Sequence, residues 1–392
     1  MRFLHTSDWH LGRTLHGVDL LDAQADVLNQ ICRLVAEPPD GVPVEAVLIA
    51  GDVYDRAVPP VEAVALFAST LAELIKHSTV IVTAGNHDSA IRLGFGAELF
   101  TERLRVRTDL ASIGSPVLLS DQDGEVAVYP LPYLDPDAAR VALAPPGHPL
   151  ERSHQAVMTA AMRRVRNDLA SRPSTTRSVV LAHAFVVGGQ PSESERSIVV
   201  GGVDSVAAGA FDGVDYVALG HLHGAQQPRG SSGVLLRYSG SPLRYSFSEA
   251  GHTKSVSLVD LRPGEPVRVT AAPLRQPRAM AELAGELAEL LDDDRHVEDW
   301  VQVTVTDRSR PDRLFDRVKS HFPHVLQVLH SPAGARPGSD HAPATALAVT
   351  PRQLGADFIS HVTGLEASAG ELELFELAYQ SAHAGQSHSG GG

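Results

Sequence analysis

Five short strand-like segments in this chain each lead into a side chain that can bind a metal, and that ordered series limits what the chain can fold into. Phe3-Leu4-His5-Thr6-Ser7 reads as a strand ending at Asp8, with His10 two positions further on. Val44 to Ala50 leads into Gly51-Asp52-Val53-Tyr54-Asp55, and Thr79 to Thr83 into Gly85-Asn86-His87-Asp88. Val179 to Ala182 meets His183, and Asp215 to Leu219 meets Gly220-His221-Leu222-His223. Between the early runs, Asp19 to Val35 and Val61 to Ile75 carry apolar residues at helical spacing. Strand–helix alternation of this kind predicts α/β layers, in which the carboxyl ends of strands gather loops into one site. Taken singly the motifs are ordinary: Asp-x-His is commonly a cap beside a surface imidazole, Gly-Asn a turn, and His183 a hydrogen-bonded strand end. The complete ordered set is what points to a metal centre. Its oxygen and imidazole donors, with no thiolate among them, suit Mn²⁺, Zn²⁺ or Fe²⁺.

The later chain continues the rhythm with less helix. Glu125 to Leu131 reads as a strand and Ser153 to Ala170 as a helix with a basic face. Val234 to Ser239, Ser255 to Asp260 and Val267 to Ala271 read as successive strands of a second sheet. Two packed sheets with helices outside, a four-layer α-β-β-α sandwich, would account for residues 1–275. A Pro- and Arg-bearing linker near Pro273 to Arg278 then opens a small α+β module over 276–332. Within it, Met280 to Leu291 and Pro311 to His321 are expected to be helical, and Trp300 to Thr306 and Val325 to Leu329 to be strands. Residues 333–350 are Pro/Gly/Ala-rich and read as a flexible linker, 351–382 as an amphipathic helical arm, and 383–392 as a disordered tail. Cys32 is the only cysteine, so no intramolecular disulfide forms, which suits a reducing cytoplasm. The start of the sequence leaves no room for a signal-peptide apolar region, and no apolar run reaches the ~18 residues that a membrane span needs.

These motifs resemble those of the calcineurin-like metallophosphoesterases. Two segments resemble one branch of that family, the SbcD nuclease subunits of bacterial SbcCD complexes: His5-Thr6-Ser7-Asp8-Trp9-His10-Leu11-Gly12 and Tyr238-Ser239-Gly240-Ser241-Pro242-Leu243-Arg244-Tyr245-Ser246-Phe247. The resemblance implies a metallophosphoesterase sandwich with a DNA-capping α+β domain and a C-terminal helical arm. It also implies two divalent metal ions, Mn²⁺ above all. Asp8, His10, Asp52 and His223 would hold one, and Asp52, Asn86, His183 and His221 the other, with Asp52 shared. His87 would face the scissile phosphate and help protonate the leaving alkoxide, and Asp55 is the natural partner for its imidazole.

The motifs read as phosphate-ester hydrolysis, and the substrate is a further step. A formal net charge of −14 speaks against a polyanion, although bound metal would cover Asp8 and Asp52. The acidic group between Glu282 and Asp299 can lie away from DNA. Trp9, Arg13, His16, Arg92, Arg244 and Tyr245 lie near the site loops in sequence, where they can meet backbone phosphates or stack on a frayed base. Leu354, Phe358, Ile359, Val362, Leu372 and Phe375 give apolar faces to the helical arm. In the family such faces dock on an SbcC-type coiled-coil ATPase. No Gly-x-x-x-x-Gly-Lys-Ser/Thr loop occurs, so no ATP site is expected in this chain. The expectation is therefore a metal-dependent DNA phosphodiesterase, both double-strand exonuclease and single-strand or hairpin endonuclease. It would act as a homodimer within a heterotetramer in cytoplasmic DNA repair, recombination and replication. The alternatives are a small-molecule or cyclic-nucleotide phosphodiesterase, and a non-catalytic scaffold, against which the complete ligand set counts.

Overall fold

The computed structural model describes residues 1–198, 205–230, 233–332, 355–356, 359 and 368–375. The chain divides into two compact units, Met1–Ser331 and Pro332–Gly392. The first unit begins with β1 (Arg2–Thr6), α1 (Leu21–Ala36), β2 (Ala46–Ala50), α2 (Val61–Leu74), β3 (Thr79–Thr83) and β4 (Leu104–Arg107). Next come β5 (Val117–Asp121), β6 (Gly124–Pro130), α3 (Pro136–Ala142), α4 (His154–Ala170), β7 (Arg177–His183), β8 (Tyr216–Gly220) and β9 (Leu235–Tyr238). β10 (Ser255–Asp260) and β11 (Arg268–Pro273) complete the sandwich. One sheet has the order β11-β10-β1-β2-β3-β4 and the other β9-β8-β7-β6-β5.

Side-chain alternation along each strand separates three apolar layers. Phe3, Ala46, Leu48 and Ile81 meet Val128, Leu181 and Ala218 between the two sheets. Leu4, Val47, Ile49 and Val82 turn the other way, onto Ile31 and Val35 of α1 and Phe67 and Leu71 of α2. Behind the second sheet, Tyr129, Val180 and Leu219 pack on Val157, Met158 and Val165 of α4. The result is the expected α-β-β-α order of layers. β1, β2, β7 and β8 are buried on both faces, which is why β2, β8 and the middle of β7 read as apolar runs without alternation.

Two expectations are corrected. Of the three late strands, only β9 joins the second sheet; β10 pairs antiparallel with β1 (Leu4 opposite Leu258), and β11 pairs with β10. Alternation shows that a segment has an inner face, but not which of two sheets supplies its edge. Met280 to Leu291 is not one helix: β12 (Met280–Gly285) precedes a single helical turn, Leu287–Leu290. Its Ala, Glu and Leu favour helix, but parallel pairing with β13 (Trp300–Val305) outweighs that preference. α5 (Leu314–His321) and β14 (Val325–His330) complete this module around Val301, Val303, Val318 and Phe322. Met280 and Trp300 pack with Leu20, Leu243, Tyr245 and Phe247, seating the module on the segments that flank the site.

In the second unit, Phe375 lies against Gly355: a Cβ added there would stand 2.6 Å from Phe375 Cδ1. Leu372 and Phe375 are half-buried, as is Ile359. Leu354, Phe358 and Val362, the linker 333–350 and the tail 383–392 lie outside the described residues. No described helix is long and apolar enough to cross a membrane.

Phe3 is fully buried between the sheets. Phe3→Ala is expected to remove about 3–5 kcal/mol of stability, measured by urea unfolding. A loss below about 1 kcal/mol would mean that this layer is not close-packed.

Candidate metal centre

The strands that carry the motifs end side by side. β1, β2 and β3 are parallel neighbours in one sheet, and β7 and β8 in the other. His183, the last residue of β7, donates from Nδ1 to the Ala50 carbonyl at the end of β2, at 2.9 Å. The His221 amide, just past β8, donates to the Asp8 carboxylate at 3.0 Å. Close approach, between neighbouring strand ends at Gly85 and between the two sheets at Gly220, dictates glycine at the corners. A Cβ on Gly85 would lie 2.1 Å from Asp52 Oδ1, and one on Gly220 would lie 2.0 Å from the Ala50 carbonyl oxygen. Six described non-glycine residues have positive φ, and four of them are Asp8, His10, Asp52 and His221. Such backbone persists only where its surroundings over-determine it, and it clusters at functional sites.

These corners aim the side chains into one buried volume. Asp8, His10, Asp52, His183, His221 and His223 are each at most 5% exposed. Ligand atoms of Asp8, His10 and His223 lie within 4.8 Å of one another, as do those of Asp8, Asp52 and His183. Asp52 Oδ2 is 3.4 Å from His183 Nε2 and 3.6 Å from His10 Nε2. Asn86 Oδ1 is 2.9 Å from His183 Nε2 and 3.3 Å from His221 Nδ1. His10 Nε2 and His223 Nε2 are 3.0 Å apart.

Burial and mutual charge shape the titration of this cluster. Burial pushes Asp8 up to about 6, against the pull of His183 and His223. Burial also raises Asp52, but His183, His10 and His87 outweigh it and hold the carboxyl well below its usual range. For His183, burial favours the neutral ring, yet Asp52 and Asp8 carry it up to about 9. Burial drives His221 down to about 3 and His10 well below the normal imidazole value.

The donor set fits divalent cations. His183 commits its Nδ1 proton to Ala50, so in the neutral ring Nε2 and Asn86 Oδ1 are two acceptors facing each other. His10 Nδ1 is buried without a hydrogen-bond partner. Lone pairs turned toward a common centre are what a cation satisfies, and in its absence a proton on His183 takes part of that role.

His87 sits at the rim, its side chain 12% exposed and its ring 4.7 Å, centroid to centroid, from that of His10. Its amide donates to Asp52 Oδ1 at 2.9 Å. The expected Asp55 partnership is corrected in kind. His87 Nδ1 donates to the Asp55 backbone carbonyl at 2.7 Å, whereas the carboxylate turns to His10 Nδ1, 3.8 Å away, and Arg13, 3.7 Å away. The nearby guanidinium draws the carboxylate aside, and the loop backbone supplies the acceptor instead.

Two of the expected DNA contacts are buried. Trp9 is 1% exposed, edge-on to Phe67, and donates to Thr6 Oγ1, so no base can stack on it. Tyr245 is 2% exposed, and its hydroxyl donates to the Trp9 carbonyl. Both rings hold the loop after β1 from behind. Arg13 lies over the Tyr245 ring and donates to the Ser194 carbonyl. Arg244 donates to the His252 carbonyl, whereas His16 and Arg92 are exposed.

Sequence reasoning assigned no role to Asp88, Gln24, Ser194, Glu195, Glu249 or Lys254. The Asp88 carboxylate accepts from the Val53, Tyr54 and Gly85 amides, tying the loops after β2 and β3 together. Gln24 donates to the Trp9 and His10 carbonyls and accepts from the Gly12 amide. Lys254 is one of three lysines in the chain, and it is buried.

The family model for calcineurin-like phosphoesterases matches residues 1–225, more than half of the chain, and the chain belongs to that family. Its fold implies divalent metal ions, and the clusters above are the candidate binding groups. A second model, SbcD_C, described as the type 5 capsule protein repressor C-terminal domain, matches residues 276–363. Among solved structures the chain is similar to Haemophilus influenzae NAD nucleotidase (NadN), at 16% identity and a TM-score of 0.39. That match covers 70% of this chain and 55% of the other, so the chain spans about half the length of that relative.

Asp88→Ala leaves three backbone amides without their acceptor. The metal-free variant is expected to lose about 1.5–3 kcal/mol in thermal or denaturant unfolding. Unaltered stability would show that the two loops hold their positions without this carboxylate.

Proposed function

We propose that the chain is an SbcD-type, metal-dependent DNA phosphodiesterase. One divalent ion, Mn²⁺ in this reading, belongs with Asp8, His10, Asp52 and His223, and a second with Asp52, Asn86, His183 and His221. The observation that carries the reading is the pairing, in one chain, of this buried donor cluster with an appended module that SbcD_C matches. Bound there, two cations supply Lewis-acid stabilisation of phosphate charge and an acidified water.

The chain's own residues do the rest. Asp52, lying between both donor groups, shares its charge between them. Asn86 contributes an uncharged oxygen, which limits repulsion of a phosphodiester. His87 holds Nδ1–H on the Asp55 carbonyl, so its imidazolium form carries the second proton on Nε2, 4.0 Å from Asp52 Oδ2. That proton is the one available to the leaving alkoxide. Arg13, His16, Arg92 and Arg244 remain as candidate contacts to backbone phosphates.

The same reading gives the C-terminal arm an SbcC-type ATPase as its partner, and makes the working nuclease a cytoplasmic homodimer that processes DNA ends in repair, recombination and replication. Val61, Ile91, Phe95 and Leu99, at 76%, 88%, 85% and 88% exposure, are the candidate apolar contacts of such a dimer. Arg92 ties their two segments together by donating to the Ala57 carbonyl.

His87→Ala is expected to keep both Mn²⁺ ions and lose at least ~100-fold in DNA cleavage, whereas Asp52→Ala loses Mn²⁺ as well. Mn²⁺ binding by calorimetry and cleavage of blunt and hairpin DNA read the two effects separately. A wild-type protein that hydrolyses a chromogenic diester with Mn²⁺ but spares both DNAs, with and without an SbcC-type partner, would sink the DNA reading in favour of a small-molecule substrate.

A further inference from the structure

His223 is gripped on the side away from the other site residues by a buried polar chain that no motif announces. Its Nδ1 lies 2.5 Å from Ser194 Oγ and 3.4 Å from Glu249 Oε1. Ser194 Oγ in turn donates to Glu249 Oε1. Glu249 is completely buried, and its other oxygen accepts from Lys254 Nζ at 2.5 Å. Lys254 spends its remaining two protons on the His223 carbonyl, at 2.9 Å, and on Ser241 Oγ, at 2.8 Å. The three donors of this buried ammonium are thus used up. The His223 amide is fixed as well, donating to Glu195 Oε1 at 2.8 Å.

Proton counting gives this arrangement a direction. A serine hydroxyl has one proton, and Ser194 gives it to a carboxylate. Its oxygen can then only accept from His223, which places the imidazole proton on Nδ1. Nε2 is left as a lone pair, and it is the atom that faces His10 Nε2 at 3.0 Å. Lys254 keeps Glu249 where it can demand the serine proton. Carboxylate partners that orient ligating imidazoles are a general device, but here a hydroxyl stands between carboxylate and ring, and the ammonium anchors the carboxylate from behind.

We propose that Ser194 and Glu249 are positioning residues for the metal centre: acting as a carboxylate–hydroxyl relay, they fix the proton of His223 on Nδ1 and present Nε2 as a ligand. The inference rests on His223 holding a metal, as set out under the proposed function. It adds the segment around Ser194, which belongs to none of the ligand motifs, to the machinery of the site. Arg13, whose guanidinium donates to the Ser194 carbonyl at 3.0 Å, links the same segment to the loop that carries His10.

The test uses the full chain. In metal-free, ¹⁵N-histidine-labelled protein, the His223 signals, assigned by their loss in His223→Asn, are expected to report Nδ1–H and a bare Nε2. Ser194→Ala, which leaves the Glu249–Lys254 pair intact, is expected to mix the tautomers. It should weaken one of the two Mn²⁺ binding events by roughly 10- to 100-fold and leave the other unchanged. Its metal-free melting temperature should move by less than about 4 °C. Ser194→Thr, which returns the hydroxyl, is expected to restore the affinity, and Glu249→Gln to weaken the same binding event as Ser194→Ala. A wild-type His223 protonated on Nε2, or unchanged Mn²⁺ affinities in both Ser194→Ala and Glu249→Gln, overturns the relay and leaves the metal centre standing. A wild-type chain that takes up no Mn²⁺ overturns both.

Discussion

Asp8 and Asp52 are carboxylates with almost no access to water, at 0% and 2% exposure, set where two apolar sheets converge. A buried charge costs several kcal/mol unless it is compensated, so something must compensate this pair. In the metal-free chain the surrounding imidazoles do so. Asp52 is held ionised by His183, His10 and His87, and Asp8 is pushed toward protonation because less compensation reaches it. Divalent cations would replace that borrowed compensation with their own charge, and the remaining features of the site follow from the need to hold donors ready for them.

The backbone shows the same constraint. Asp8, His10, Asp52 and His221 adopt positive φ, and Gly85 and Gly220 stand where any side chain would collide with Asp52 or Ala50. Neither feature helps an isolated loop. They persist because the parallel strands beneath are packed on both faces and fix the loop origins to within a few ångströms. Stability of the sandwich is therefore spent on donor placement, with Asp88 and Gln24 clamping the loops and Trp9 and Tyr245 filling the space behind them.

The main strands of both sheets and the convergence of their loops were legible in the sequence, because five of the strands lead into a residue type that can ligate a metal. What periodicity could not carry was partnership. Ser255–Asp260 has an apolar face whichever sheet it joins, and Met280–Gly285 has helical propensity that only its neighbour Trp300–Val305 overrides. Trp9 and Tyr245 look like surface aromatics beside site loops but are wedges under them. The Asp55 side chain follows Arg13 rather than His87, a choice made by a contact rather than a motif. Ser194, Glu249 and Lys254 had no signature, since a buried relay is defined by who meets whom after folding.

The net charge of −14 acquires a different meaning once the acid is located. Asp8 and Asp52 belong to the candidate donor cluster, where a bound cation would offset their charge, and Glu249 is neutralised by Lys254. Under the proposed function, metal would supply the local positive potential for DNA, and binding would depend on both salt and metal. The most direct measurement is anomalous diffraction from crystals grown with Mn²⁺. Two manganese peaks are expected on either side of the Asp52 carboxylate, one beside His10 and His223 and the other beside Asn86, His183 and His221. A single peak, or manganese bound away from Asp52, would contradict a shared-carboxylate centre.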